Sequence, residues 1–367
     1  MRSILFILPS LAVGGAEANT VKLSNFLVKN GHTVDILLLQ SDQSLAYLLN
    51  PHVRVTSLGF TKYSKSFIKL AWFIRRANPS AIIANMWPIT CLVFSALIFS
   101  PWLFQRLIIV EHIDLKKGLQ LSSFLEQFLE FIFHSIAPYF LKAVVGVSPG
   151  VLDSLKKPFC TNLLNFHYIP NPIYTEFSVD FLDIEYSNYS CTPKPIKALA
   201  VGNFKPQKDY YLMIDSIYSL YTKGVSVQLS IAGMGPLLPS VMAYARSLMP
   251  SYVVNFLGLV DPYDVIKLYR TSDIYLLTSA WEGFSNSLAE ALVEGCRCVA
   301  INCPSGPSVV LDNGTFGTLV ENRDAAVFAS AIISELSIHR SSHLLKSHLT
   351  QFSVENVGQK YLDLILL

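Results

Sequence analysis

Along much of this chain the apolar residues come in short unbroken runs rather than in alternation. In the first half such runs cover residues 4–8, 33–39, 81–84, 106–110 and 143–147. A strand packed on both faces is apolar at every position, so these runs predict strands of a covered parallel sheet. Between them the spacing predicts helices over 16–30 (closed by Gly31), 64–77 (with Pro79 past its end) and 121–140, which contains Pro138. The pattern breaks over 174–194, a polar stretch rich in Ser and Tyr, which reads as a linker. It then restarts. Strands are expected over 197–201, 227–232, 253–257, 273–278 and 298–301, with helices over 210–222, 237–247, 262–271 and 286–294. A last helix is expected over 354–367. Such βαβ alternation means two doubly wound α/β domains, residues 1–175 and 190–352, with ligands beyond the carboxyl ends of the strands.

Composition narrows the class. The 367 residues are 51% hydrophobic and 15% charged, with a mean hydropathy of +0.41, which excludes a disordered chain. Two segments imitate membrane signals. Residues 1–8 resemble a signal peptide, but Pro9, Gly14 and Gly15 follow at once, as after a first buried strand. Residues 89–100 are apolar, yet twelve residues fall short of the roughly 20 that span a bilayer. Charge is unevenly divided: residues 1–175 carry 15 Lys/Arg against 8 Asp/Glu, the remainder 13 against 18. A basic first half points to an anionic partner there. Lys62, Lys65, Lys69 and Arg76 fall within ~60° on one helix face, with Trp72 beside them, which is either a membrane-facing strip or a solvated face. No basic run with interleaved aromatics supports nucleic-acid binding. The six cysteines have no CxxC spacing, and Cys296, Cys298 and Cys303 read as buried sulfur rather than a metal site.

The densest chemistry is Glu282-Gly283-Phe284-Ser285-Asn286-Ser287-Leu288-Ala289-Glu290. It follows a strand and opens a helix that stops at Gly295. Free backbone N–H groups and the helix dipole favour a phosphate at such a corner. Eight helical residues would set the carboxylates ~12 Å apart, whereas a glycosidase pair needs roughly 5–9.5 Å. The spacing suits one carboxylate at each end of an elongated ligand. A plainer reading is also open: Ser287-x-x-Glu290 fits a capping box, with Glu282 a surface carboxylate.

Other turns point the same way. Gly14-Gly15 follows the first strand, but GxGxxG is absent and no acid closes the second strand, so a nicotinamide cofactor is disfavoured. Asn203, Lys205 and Lys208 follow the first strand of the second half, where lysines can neutralise a diphosphate. Gly233 and Gly235 form a third glycine turn. His112 follows strand 106–110, a place where α/β sites collect side chains, and is read as either functional or a structural hydrogen-bonder. There is no GxxxxGK[ST], and no Asp-x-Asp to carry a divalent metal.

Together these motifs resemble glycosyltransferase family 4, the retaining nucleotide-sugar enzymes of the GT-B fold. The resemblance runs through Leu8-Pro9-Ser10, Gly14-Gly15-Ala16-Glu17, Glu111-His112, Ile169-Pro170-Asn171-Pro172, Gly202 to Lys208, Gly233-Met234-Gly235-Pro236, Glu282 to Glu290 and Ser305-Gly306-Pro307-Ser308. It implies two Rossmann-like domains facing a central cleft, the first for the acceptor, with helix 354–367 packing back on it, and the second for the donor. It implies a hexosyltransferase using a UDP sugar, with no metal or other cofactor. Glu290 would hold the ribose and Glu282 would face the donor sugar. Backbone amides of Phe284, Ser285, Asn286 and Ser287 would cradle the diphosphate, with Lys208 as its cation; Gly283 and Asn203 are further donor-binding candidates, and Gly14 and Gly15 would close on the donor. His112 would reach the reacting carbon. The implied acceptor is a glycan or a polyprenyl-diphosphate-linked oligosaccharide of polysaccharide biosynthesis. The expected place is the cytoplasm, peripheral at the inner membrane face through residues 62–76. An epimerase or hydrolase of the same fold, or a non-catalytic nucleotide-sugar-binding subunit, are the alternatives. The chain departs from the family at Asn203, where an arginine is frequent, and at Val309, where a glutamate is frequent.

Overall fold

A computed structural model describes residues 1–60, 67–112, 133, 137–159, 165–174, 194–338, 340 and 342–367. The linker 174–194, except its two ends, and most of the expected helix 121–140 lie outside the described residues, as do Lys62, Lys65, Cys160 and Cys191. The chain divides into two compact units, Met1–Ile173 with Phe352–Leu367, and Tyr174–Gln351.

Among the described residues the first unit holds seven parallel strands: β1 (Ser3–Leu8), β2 (Thr33–Leu38), β3 (Arg54–Ser57), β4 (Ala81–Asn85), β5 (Leu107–Glu111), β6 (Ala143–Gly146) and β7 (Phe166–Tyr168). Their order in the sheet is β3-β2-β1-β4-β5-β6-β7. The central strands β4, β5 and β6 are buried at every residue, as their apolar runs require. The edge strands β3 and β7 are short and partly exposed, and neither is evident from hydrophobicity. Residues 89–100 contain a real helix, Ile89–Ala96, apolar almost all round because it is nearly enclosed.

The second unit repeats the plan with β8 (Ile196–Val201), β9 (Val227–Ala232), β10 (Val254–Gly258), β11 (Ile274–Leu277), β12 (Arg297–Ile301) and β13 (Thr318–Val320), ordered β10-β9-β8-β11-β12-β13. Helices Tyr210–Thr222 and Ala325–Glu335 pack on this sheet and bury Ile214, Ile217, Phe328 and Ile332 against Leu229, Ile231 and Val299.

The terminal helix Val354–Leu366 belongs to the first unit. Gly358 lies so close to the Phe26 ring that any Cβ would collide with it. The chain's exit from the first unit and its return are tied together. Ile173 N donates to Phe352 O at 2.8 Å, and Val354 N donates to Ile173 O at 3.2 Å.

Candidate functional site

In the second sheet the strand order reverses between β8 and β11, so the loops leaving these two strands lie side by side at its carboxyl edge. Ligands of doubly wound sheets bind at such reversals. Loop 202–209 carries Lys208, and loop 278–285 carries Glu282. The loops are sewn together: Thr278 Oγ1 donates to the carbonyls of Lys208 (3.0 Å) and Asp209 (2.9 Å), and Ala280 N donates to Gln207 O at 2.8 Å.

Lys208 Nζ donates to Glu282 Oε1 at 2.7 Å. Ser279 Oγ donates to the same oxygen at 2.6 Å, and Gln207 Nε2 reaches Oε2 at 3.4 Å. Glu282 is only 8% exposed, so this carboxylate is not a surface group. A buried charge must be paired and hydrogen-bonded, and here it is both. Its backbone bridges to Ser305, which holds φ +87°, a left-handed conformation rarely adopted by a residue with a side chain.

Helix Asn286–Val293 starts immediately beyond. Its N-cap, Ser285, is buried, and the hydroxyl has no hydrogen-bond partner among the described residues. The first-turn N–H groups of a helix have no intrahelical acceptors, and its dipole draws an anion there. Gly283 and Phe284 are buried beside it, and Asn286 is half-buried. The capping-box reading fails. Because the helix begins at Asn286, Ser287 is its second residue, and its hydroxyl accepts from Tyr275 Oη at 2.7 Å. Glu290 is therefore a turn further on and half-buried, with Tyr269 Oη 3.5 Å from its Oε2. The helix ends in a Schellman arrangement: Gly295 N donates to Leu292 O at 3.1 Å and Cys296 N to Ala291 O at 2.9 Å.

Other residues singled out from the sequence separate here. Asn203 is half-buried at the foot of loop 202–209, while Lys205 is exposed. The glycine turn 233–235 serves packing. A Cβ on Gly233 would run into the Gly202 carbonyl oxygen, and one on Gly235 into the Phe204 backbone. Ser279, Gln207 and Asp209 were not picked out from the sequence, because a small polar residue in a loop carries no spacing signal. The adjacency of β8 and β11 decides that they converge.

In the first unit, Gly14 caps helix Gly15–Lys29, and the Glu17 carboxylate of that helix lies against it. His112 stands at the end of β5. Its Nε2 is buried without a hydrogen-bond partner among the described residues. Burial pushes the imidazole down to about 4, only partly opposed by a hydrogen bond with Asn171, so it is neutral at pH 7. Next to it Glu111 is buried, its Oε2 accepting from Trp87 N at 3.0 Å and its Oε1 from Thr90 Oγ1 at 3.0 Å. Desolvation outweighs these bonds and raises the carboxyl to about 7.

The first unit also presents an aromatic and basic surface. Helix Phe67–Ala77 buries Leu70, Ala71 and Ile74 but leaves Ile68 77% and Trp72 60% exposed. Exposed Phe99 stacks edge-on against Phe67, with ring centroids 5.6 Å apart. Arg76 lies over Trp72 (5.3 Å) and Arg75 over exposed Trp102 (5.8 Å). Among the described residues no helix is long and apolar enough to cross a membrane, and no three His, Cys, Asp or Glu gather to hold a metal. The described cysteines 91, 296, 298 and 303 are buried free thiols, and burial holds Cys303 up at about 12.

Comparison with known proteins gives this geometry a family. A model described as "Glycosyltransferase Family 4" matches residues 13–177, and one described as "Glycosyl transferases group 1" matches 189–347. The alpha-monoglucosyldiacylglycerol synthase of Streptococcus pneumoniae is 25% identical over 46% of this chain and 39% of its own length. The N-acetylgalactosamine-N,N'-diacetylbacillosaminyl-diphospho-undecaprenol 4-alpha-N-acetylgalactosaminyltransferase of Campylobacter jejuni is 32% identical over 34% of this chain and 32% of its own. The chain thus matches less than half the length of either relative. The structure of Anabaena Alr3699/HepE in complex with UDP-glucose covers 99% of both chains, with TM-score 0.77 and 18% identity. At that identity it shows a shared fold, the two Rossmann-like domains of GT-B. The two family models, which between them take in both units, and the fold agree: this chain belongs to glycosyltransferase family 4.

Proposed function

We propose that this protein transfers a hexosyl group from a nucleotide diphosphate sugar, UDP-linked, to a glycan or polyprenyl-diphosphate-linked acceptor in cell-surface polysaccharide assembly. The observation that carries the reading is the Lys208–Glu282 pair at the strand reversal, beside a helix N-terminus whose buried Ser285 hydroxyl has no partner among the described residues. In this reading each member of the pair holds the other's charge until the donor arrives. The diphosphate then lies over the first turn of helix Asn286–Val293 and takes over Lys208. Glu282, released, accepts a hydrogen bond from a sugar hydroxyl, and Glu290 accepts one from the ribose.

Transfer breaks the bond between the anomeric carbon and the diphosphate oxygen and forms one to the acceptor oxygen on the same face. The acceptor's proton leaves on the departing phosphate. Negative charge grows on that phosphate in the transition state, where Lys208 and the helix N–H groups stabilise it electrostatically. They supply the positive charge that a divalent ion would otherwise bring, so the reaction proceeds without a metal. Retention fits the α linkages named for both relatives above, since it keeps the configuration of an α-linked donor.

The first relative's name gives a diacylglycerol product and the second a diphospho-undecaprenol acceptor, both amphiphiles. The surface around Trp72, Trp102, Arg75 and Arg76 suits peripheral contact with an anionic membrane face, where such acceptors reside. The test is UDP release from UDP-hexoses by the purified chain, with and without membrane extracts as acceptor. The Lys208→Met variant should lose roughly 10²–10³-fold in rate, the size of one lost oxyanion contact. Wild-type turnover in that variant would remove Lys208 from the chemistry.

A further inference from the structure

One side chain joins three loops at the carboxyl edge of the second sheet. Arg323 lies in the loop after β13, directly before Asp324, whose carboxylate accepts from Ala326 N and Val327 N at 2.9 Å each and so fixes the start of helix Ala325–Glu335. That helix is anchored in the core by Phe328 and Ile332. From this fixed base the guanidinium reaches two other loops. Its Nη1 donates to Ser279 O at 2.9 Å. Its Nη2 donates to Thr278 O at 3.1 Å and to Asp209 Oδ2. Thr278 and Ser279 open the loop that carries Glu282, and Asp209 follows Lys208 directly.

Asp209 divides its carboxylate. One oxygen pairs with Arg323, and the other caps helix Tyr210–Thr222 by accepting from Leu212 N at 3.3 Å. The residue itself sits in the left-handed region, φ +43°. Lys208 is thus held between a turn that Arg323 fixes and a helix that Asp209 caps.

We infer that Arg323 is a positioning residue for the donor site: it sets the separation of loops 206–209 and 278–282, and so aims Lys208 at the diphosphate and Glu282 at the sugar of one ligand. The inference rests on the donor-site reading given above. Stability does not account for the arrangement. Arg323 and Asp209 are 35% and 31% exposed, and a pair that open adds little to folding. Geometry does account for it. A planar fork satisfies acceptors on two loops at once, which the point charge of a lysine cannot do.

The experiment uses the full chain and the variants Arg323→Lys, Arg323→Gln and Asp209→Asn. Calorimetry measures UDP, GDP and ADP binding, and UDP release from UDP-glucose gives kcat and KM. The lysine variant keeps the charge and loses the fork. A positioning role predicts that Arg323→Lys and Arg323→Gln lose kcat/KM alike, by roughly ten- to a hundredfold, with donor KM raised and melting temperature unchanged. It also predicts that adding Asp209→Asn to Arg323→Gln costs nothing further, since the contact between the two residues is already lost. Wild-type binding by Arg323→Lys would reduce the role to charge and overturn the proposal. So would a normal KM with fewer active molecules, or a collapsed melting transition, which mark a structural part. If the wild-type chain binds none of the three nucleotides, the donor-site reading itself falls. If it binds one and the variants match it, only the positioning role falls.

Discussion

Glu111→Gln isolates a buried carboxyl whose ionisation should weigh on stability near neutral pH. Glu111 is buried and held by two neutral donors, Trp87 N–H and the Thr90 hydroxyl, with desolvation the dominant influence. Its carboxyl rises from 4.5 to about 7. The folded chain therefore keeps a proton that the unfolded chain has lost between these two values. The resulting stabilisation is full below pH 4.5 and is lost as pH rises through 7. A displacement of this size is worth about 3 kcal/mol. His112, beside it, runs the other way. Its folded value of about 4 lies below the ordinary 6.5, so stability is lost as pH falls through 4. In the wild type the two trends oppose each other between pH 4.5 and 6.5. Replacing Glu111 by glutamine, of like shape and without charge, removes one of them. The stability of wild type minus variant should then fall by about 3 kcal/mol between pH 4.5 and 8. Urea unfolding followed by tryptophan fluorescence is the assay, since Trp72, Trp87 and Trp102 lie in the first unit and only Trp281 in the second. A difference that stays flat across that range would refute the reasoning, because Glu111 would then ionise as it does in water.

Ser305→Gly should raise the melting temperature, because φ +87° costs a serine about 1 kcal/mol that glycine does not bear; an unchanged or lower value argues against strain at Glu282's neighbour. Replacing Trp72 by Ser together with Arg75 and Arg76 by Glu should cut co-sedimentation with phosphatidylglycerol vesicles at least roughly tenfold, at about 1 kcal/mol per arginine. UDP binding should be untouched, and undiminished sedimentation would dismiss that surface as a membrane contact. Excess EDTA should leave the initial transfer rate unchanged, and a loss restored by magnesium would assign a divalent ion to the diphosphate.

The elements most legible in the sequence were those with both a strong pattern and a chemical stop. Helices Tyr210–Thr222 and Pro262–Thr271 and strand Val227–Ala232 lie where the apolar pattern places them, the two helices marked by Asp209 and Asp261 as N-caps. Strands Arg54–Ser57, Phe166–Tyr168 and Thr318–Val320 escaped notice because edge strands need little apolar surface. Helix Ala325–Glu335 was missed for a different reason. It is apolar on most sides, which hides its period, although Asp324 gave a usable start signal. In the site, Lys208 and Glu282 could be named from the chain, but their 2.7 Å pairing could not, since it depends on β8 lying beside β11. Ser287 shows the limit of local motifs. A capping box was available to it, and a tyrosine twelve residues upstream claimed its hydroxyl instead. Arg323 had no signal at all, because its partners are 44, 45 and 114 positions away.

The knot of hydrogen bonds joining Ile173 to Phe352 and Val354 makes the second unit an insertion within the first. Synthesis from the amino terminus therefore completes the units in reverse. The inserted unit has all its residues once Gln351 has emerged from the ribosome, while the unit begun earlier still waits for the helix that covers Phe26. During translation the inserted unit can reach its native state while its older companion remains unfinished.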